Sequence, residues 1–299
     1  MNVKKVDWNS NTFGREVLES FKETGFAVVT NHPINQRVMN IVYEDWKTFF
    51  AQTEEVKNRF LYKKETQAGW FPPKSEKAKD SDFPDMKEFY HFYHRNEPAT
   101  TTSDLAKALE KMAQIILNAV EAELQNDGIK IGTTGSLSST TSESKLTLLR
   151  ILHYPPTNNF GLDAQLMERA SAHEDINLIT LLPAATNPGL QVKTVAGEWI
   201  DVEADPGSVI VNVGDMMMAA THGYLPSTTH RVVADLQAQK ESRYSMPLFL
   251  HPRPEVRLND KYTAGQYLHE RLIQLGVLPP DVIPTIAQEN TNGQETKEN

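Results

Sequence analysis

The chain has 299 residues, with 39 Asp plus Glu against 30 Lys plus Arg, a formal net charge of −9, and no cysteine. Lack of cysteine excludes disulfides, thiolate metal sites, iron–sulfur clusters and cysteine nucleophiles, so any metal must rest on His, Asp, Glu or other oxygen donors. The acidic balance argues against a nucleic-acid partner, which needs clustered Lys and Arg. No apolar run reaches the roughly 18–20 residues of a membrane span. Residues 1–8 lack the apolar stretch of a leader, and a cytoplasmic protein with no membrane partner is expected. Hydrophobic residues make up 39% of the chain, enough for a large core.

Phe13, Val17, Leu18 and Phe21 recur at helical spacing and predict a helix over 11–24, ended by Gly25. A short β run follows at 26–30, closed by Asn31-His32-Pro33. A second helix is expected over 36–50, with Val38, Ile41, Val42, Trp46 and Phe49 on its buried side. Residues 62–96, rich in aromatics, Lys and Pro, read as a loop and then a strand. Ser103 or Asp104 is expected to cap a helix reaching about 125, striped by Leu105, Leu109, Met112, Ile116, Val120 and Leu124. Residues 132–144 are mostly Ser, Thr and Gly and read as an exposed loop. From Lys145 to Pro252 short β-rich runs dominate: 146–154, 176–182, 190–195, 199–202, 208–213, 231–234 and 244–250. Turn residues such as Asn187-Pro188-Gly189 and Asp205-Pro206-Gly207 separate them, which predicts a sandwich or barrel. A last helix is expected within 262–276 and a disordered tail over 288–299. We read 1–287 as one catalytic domain: a mixed helical part over 1–144, a β core over 145–252, and the last helix.

His173-Glu174-Asp175 is the only place where a histidine stands two residues before an aspartate at the mouth of a strand. In extended chain, residues i and i+2 share a side, so His173 and Asp175 could reach one metal. His230 opens another β run 55 residues after Asp175. Two histidines and a carboxylate match the facial triad of non-haem Fe(II) oxygenases, which leaves positions open. A structural zinc would want a fourth ligand, and none is evident. Arg243-Tyr244-Ser245 follows 13 residues after His230, with Arg243 and Ser245 on one face. A guanidinium with a neighbouring hydroxyl suits a carboxylate. No Gly-x-Ser-x-Gly, phosphate loop or dinucleotide fingerprint competes.

In this order the motifs resemble the 2-oxoglutarate/Fe(II)-dependent dioxygenases, in particular the isopenicillin N synthase-like branch. The stretch Gly25-Phe26-Ala27-Val28-Val29-Thr30-Asn31-His32-Pro33-Ile34 resembles that branch's N-terminal signature, with Pro33 in place of the usual glycine. Leu149-Arg150-Ile151-Leu152-His153-Tyr154-Pro155 resembles its Leu-Arg…Tyr-Pro strand, although Leu152 replaces an Asn common in plant members. Gly189-Leu190-Gln191-Val192, Trp199 and Val211-Asn212-Val213-Gly214-Asp215 also match, so the resemblance covers about 10–255. It implies a mainly β fold with flanking α, a double-stranded β-helix (jelly-roll) core with the N-terminal helices packed on it.

The resemblance also implies roles. His173, Asp175 and His230 would ligate Fe(II). Arg243, Ser245 and Tyr154 would hold 2-oxoglutarate. O2 would be the oxidant, with ascorbate helpful in vitro. The outcome would be succinate, CO2 and hydroxylation, desaturation or oxidative cyclisation of a small amino-acid-derived or carboxylate metabolite, ring closure of kainoid type among them. Substrate contacts are expected from Trp70, Phe71, Lys87 and Tyr90, which cover the opening in this branch. Arg150, His153, Asn177, Met217 and Phe249 complete the expected set. The alternatives are a same-fold Fe(II) oxidase that takes no 2-oxoglutarate, or a non-catalytic jelly roll that binds a metabolite. Oligomeric state is unreadable from the sequence.

Overall fold

The computed structural model describes residues 2–64, 66–75, 87–95, 99–156, 168–234, 240–274 and 276. The first half runs β1 (Lys4–Asp7), α1 (Phe13–Thr24), β2 (Phe26–Thr30), α2 (Gln36–Phe50), α3 (Glu54–Asn58), β3 (Gly69–Phe71), β4 (Glu88–Phe92), α4 (Thr101–Asn126) and α5 (Leu137–Thr141). The second half runs β5 (Leu148–Tyr154), β6 (Glu168–His173), β7 (Ile179–Pro183), β8 (Leu190–Lys193), β9 (Trp199–Asp201), β10 (Val209–Val213), α6 (Asp215–Ala220), β11 (His230–Val233), β12 (Arg243–Ser245), β13 (Leu248–Leu250) and α7 (Ala264–Gln274). The expected tail over 288–299 lies outside the described residues. No helix among the described residues is long and apolar enough to cross a membrane.

Two sheets face each other. The major sheet has the order β1-β2-β10-β7-β13-β5-β4-β3, with β12 also paired to β5. The minor sheet has the order β6-β11-β8-β9. Side chains alternate across each strand, so the major sheet feeds two cores. Its outer face (Ala27, Val29, Leu149, Ile151, Ile179, Leu181, Val209, Val211, Leu248 and Leu250) packs against the helices. Its inner face (Phe26, Val28, Phe89, Leu152, Tyr154 and Ile210) meets Ala170, Leu190, Val192 and Val232 of the minor sheet. This is the double-stranded β-helix with helices on one side, and full burial of each large outer-face aliphatic contributes about 1.5–3 kcal/mol.

Local chemistry sets the element ends. Gly25 closes α1 in the left-handed region at φ 71°, and a Cβ there would meet Thr228 Oγ1 at 2.3 Å. Helix α4 starts earlier than the sequence suggests: Thr100 is its N-cap, and Thr100 and Ser103 cap each other reciprocally. In α2 the buried face is Met39, Val42, Tyr43 and Phe50, and Ile41 is exposed. The expected stripe is therefore turned by part of a helical step.

Three further expectations are corrected. Residues 132–144 are not all exposed loop. Helix α5 lies there, with Leu137, Thr140, Thr141 and Ser144 buried. Its threonine hydroxyls donate to carbonyls one turn back, 2.6 Å to Leu137 O and 2.9 Å to Ser138 O, which lets a polar segment sit inside. The run at 244–250 is two strands, β12 and β13, separated at Met246-Pro247 because Pro has no N–H for a ladder. Strand β6 lies outside every expected run. Its Ala- and Ser-rich sequence, Glu-Arg-Ala-Ser-Ala-His, carries little β signal, and its pairing with β11 supplies the conformation.

Candidate active site

His173 ends β6 and His230 opens β11, and the two are opposite partners across the ladder. Asp175 follows His173 in the turn that leaves β6. One donor atom from each of the three lies within 4.8 Å of the others. Asp175 Oδ1 stands 3.7 Å from both His173 Nε2 and His230 Nε2, and the imidazole centroids are 4.4 Å apart.

The remaining atoms of each group are spoken for. His173 Nδ1 donates to Ser171 O at 2.7 Å, and His230 Nδ1 donates to Thr228 O at 3.1 Å. A carbonyl only accepts, so Nδ1 carries the proton on both rings and each Nε2 presents a lone pair. Asp175 Oδ2 accepts from Thr180 Oγ1 at 2.6 Å and Asn212 Nδ2 at 2.9 Å, leaving Oδ1 toward the imidazoles. Burial opposes ionisation of Asp175, but His230, His173 and these two hydrogen bonds hold its carboxyl below the usual range.

The backbone around the turn is equally determined. Asp215 N donates to Asp175 O at 2.8 Å and Met216 N to Asn177 O at 3.0 Å. A Cβ at Gly214 would stand 2.2 Å from Asn177 O, so only glycine allows this approach. Thr229 Oγ1 donates to Glu174 Oε1 and ties the turn to the strand of His230. Two neutral imidazoles and one carboxylate converging from one side fit a divalent iron with positions left open.

On the inner face of the major sheet, β12 lies beside β5 with Arg243 opposite Tyr154 and Ser245 opposite Leu152. Arg243 is 2% exposed. Its Nε donates to Asn187 O at 3.1 Å, and its guanidinium carbon lies 5.5 Å from the Tyr154 ring centre. Its Nη1 is buried with no partner among the described residues. A buried guanidinium with an unmatched donor is costly unless an anion completes it, and a carboxylate has the matching fork.

The other sequence candidates divide by the face of the strand they occupy. Phe71 belongs to the inner core and stacks on Tyr62 and Phe89, with centroids 4.1 and 4.5 Å apart. Arg150 lies between the outer-face residues Leu149 and Ile151 and so points inward. Its guanidinium sits 4.1 Å over the Phe89 ring, and its Nε donates to His91 Nε2 at 2.9 Å. Phe249 alternates with the outer-face Leu248 and Leu250, and so shares the inward side. Lys87 is buried immediately before β4, where alternation with the outward Glu88 and the inward Phe89 puts it on the inward side.

Trp70, Tyr90, His153 and Met217 lie elsewhere. Trp70 and Met217 are fully packed in the outer core, and Tyr90 packs on Trp46 and Phe49 of α2. His153 binds Glu88 and Ser242 behind the sheet. For the three strand residues the reason is the period of two, since their neighbours Phe71, Phe89 and Tyr154 took the cavity side, whereas Met217 sits on the buried side of helix α6. Asn177 is buried, and its amide donates to Ile179 O and Thr180 Oγ1, so it braces the threonine that holds Asp175. Sequence reasoning missed Thr180, Asn212, His91 and Phe89. The isolated Asn in Val209-Ile210-Val211-Asn212-Val213 was the available signal, a polar side chain placed on the inner face of an apolar strand.

Residues 146–252 match the family model of the 2OG-Fe(II) oxygenase superfamily, and residues 4–115 match that of the non-haem dioxygenase in morphine synthesis N-terminal region. A candidate oxygenase of Shewanella oneidensis, known from its crystal structure, is 39% identical, with a TM-score of 0.81 over 93% of this chain and 100% of that one. A flavonol synthase/flavanone 3-hydroxylase of Solanum tuberosum is 25% identical over 274 residues, 85% of this chain and 73% of its own. The fold is shared with a full-length Neurospora crassa protein solved in complex with alpha-KG, at 24% identity and a TM-score of 0.75 over 90% of this chain and 95% of that one. The chain therefore belongs to the 2OG-Fe(II) oxygenase superfamily and is a 2-oxoglutarate- and Fe(II)-dependent oxygenase.

Proposed function

We propose that His173 Nε2, Asp175 Oδ1 and His230 Nε2 hold the Fe(II), and that Arg243, Ser245 and Tyr154 hold the distal carboxylate of 2-oxoglutarate. The observation that carries this reading is a converging donor set beside the core between the two sheets, together with the unmatched buried Nη1 of Arg243 on the inner face of the major sheet. When bound, Fe(II), 2-oxoglutarate and O2 supply the oxidation: one oxo acid becomes succinate and CO2 as one substrate C–H bond is oxidised. The chain's own part is to bind, orient and exclude water. Thr180 and Asn212 aim Asp175, the Ser171 and Thr228 carbonyls aim the two imidazoles, and the inner-core aromatics keep the cavity dry.

The substrate is read as a small carboxylate or amino-acid-derived metabolite. The support is the positive charge of Arg150 and Lys87 on the cavity side, set among Phe71, Phe89 and Phe249. Residues 1–287 are read as one catalytic unit. The major sheet takes β1 to β4 from the first half and five strands from the second, so neither half completes it alone.

The test is succinate release from 2-oxoglutarate in air with Fe(II) and ascorbate, comparing wild type with His230→Ala. Turnover in the wild type and none in the variant is the expected result. An anaerobic titration of Fe(II) protein with 2-oxoglutarate should produce a visible charge-transfer band. If neither turnover nor band develops, the ligand and clamp assignments both fail.

A further inference from the structure

The strand that carries the cosubstrate clamp is short. β12 has three residues and pairs only with β5 among the described strands, through Arg243 to Tyr154, Tyr244 to His153 and Ser245 to Leu152. Arg243 and Ser245 face the cavity, so Tyr244 faces the helices. Three register pairs on one edge and a single loop residue on the other, Thr186, whose N–H donates to Tyr244 O at 3.1 Å and whose Oγ1 accepts from Tyr244 N at 2.9 Å, are little to hold two groups within the few tenths of an ångström that cosubstrate binding requires.

A hydrogen-bonded chain behind the sheet supplies the rest. Glu88 faces outward from β4 and is 5% exposed. Its Oε2 accepts from Lys57 Nζ at 2.7 Å and Trp70 Nε1 at 2.8 Å, and its Oε1 accepts from His153 Nδ1 at 2.8 Å. Burial opposes the charge on Glu88, but the His153, Lys57 and Trp70 contacts hold its carboxyl below the usual range. A carboxylate only accepts, so His153 Nδ1 carries a proton. His153 Nε2 lies 2.9 Å from Ser242 Oγ, the residue before Arg243. The His153 ring also stacks on Tyr244, with centroids 4.6 Å apart and planes 5° from parallel. The bonded chain thus grips the clamp segment at Ser242 and Tyr244, the residues on either side of Arg243.

We propose that Glu88 and His153 are positioning residues for 2-oxoglutarate, acting through Ser242 and Tyr244 on the clamp strand; this rests on the reading that Arg243 and Ser245 bind the cosubstrate. The arrangement also ties the clamp to the N-terminal hairpin. Alternate residues of one segment serve the two sides: Lys87, Phe89 and His91 face the cavity, and Glu88 braces the clamp from behind. Buried bonds of this kind orient a neighbouring group much as outer partners orient metal ligands.

The test is the affinity of Fe(II)-loaded, anaerobic protein for 2-oxoglutarate, read from the charge-transfer band, with Fe(II) affinity measured separately. His153→Phe, which can keep the stack and loses both bonds, should weaken 2-oxoglutarate binding about tenfold, and Ser242→Ala about threefold, the scale of buried hydrogen bonds. Metal affinity should stay within about twofold in both. Adding Glu88→Ala to His153→Phe should bring no further loss, because Glu88 acts through His153. Unchanged 2-oxoglutarate affinity in folded Ser242→Ala and His153→Phe proteins overturns the proposal, and so does a parallel loss of metal affinity. Ser242 is half-buried, so Ser242→Ala decides the matter if the others do not fold. Arg243→Gln separates the two readings. Unchanged 2-oxoglutarate affinity in that variant sinks the clamp assignment itself, whereas a large loss there beside unchanged Ser242→Ala and His153→Phe sinks only the bracing chain.

Discussion

The two faces of β5 differ in what they ask of a side chain. Outward, Leu149 and Ile151 are fully buried against helices, and His153 enters a closed hydrogen-bonded chain. Inward, Arg150, Leu152 and Tyr154 line the cavity shared with the minor sheet, and Tyr154 stands opposite Arg243. One strand therefore presents stability on one side and chemistry on the other, at a period of two. The lesson is that a candidate's neighbours in sequence are poor guides to its role, whereas residues two away are good ones. Trp70 and Phe71 make the same point on β3, one packed under the helices and the other in the cavity wall.

The comparison breaks if inner-face changes disturb the fold or outer-face changes disturb the chemistry directly. The largest effect is expected at the metal. Asp175→Ala or His230→Ala should abolish stoichiometric Fe(II) binding, measured by equilibrium dialysis, and a chelator should remove activity from the wild type with recovery on adding Fe(II). Next, Arg243→Gln should weaken 2-oxoglutarate by about a hundredfold, because charge-assisted bonds to a carboxylate are lost in a buried site. Ile151→Ala, one face away, should lower folding stability by about 2–4 kcal/mol in denaturant titration and leave 2-oxoglutarate affinity of the folded protein unaltered.

Thr180→Val and Asn212→Leu each remove one bond to Asp175 Oδ2 and should weaken Fe(II) about tenfold or more, since partners of ligands commonly have that weight. The smallest effect is expected at Trp70→Phe. It loses one hydrogen bond to Glu88, worth about 1 kcal/mol of stability, and should leave substrate preference untouched. A changed preference in that variant would show that the outer face reaches the substrate after all.

Much of this was legible in the chain. The helical stripes of α1 and α4 survive in the structure, because burying an apolar face against a sheet demands that spacing. Six of the seven expected β runs correspond to single strands, and the seventh divides at Pro247, whose missing N–H breaks the ladder. The spacing of His173, Asp175 and His230 pointed to one cluster, and the three do converge. What was illegible depended on partners. β6 is a strand because β11 pairs with it, and α5 is buried because its hydroxyls satisfy their own backbone.

The sequence by itself determined the donor types and the order in which they appear along the chain, because ligand chemistry and strand alternation are local properties, and the motifs in that order carried the resemblance to the superfamily. It also excluded thiolate chemistry outright. Only the tertiary structure decided which side of each strand meets the cavity. That choice follows from the register between strands distant in sequence, and a shift of one residue exchanges every side chain between faces. It put Arg150 in the cavity and His153 behind it. It also aimed Asp175 through Thr180 and Asn212, residues that became partners only when β7 and β10 paired.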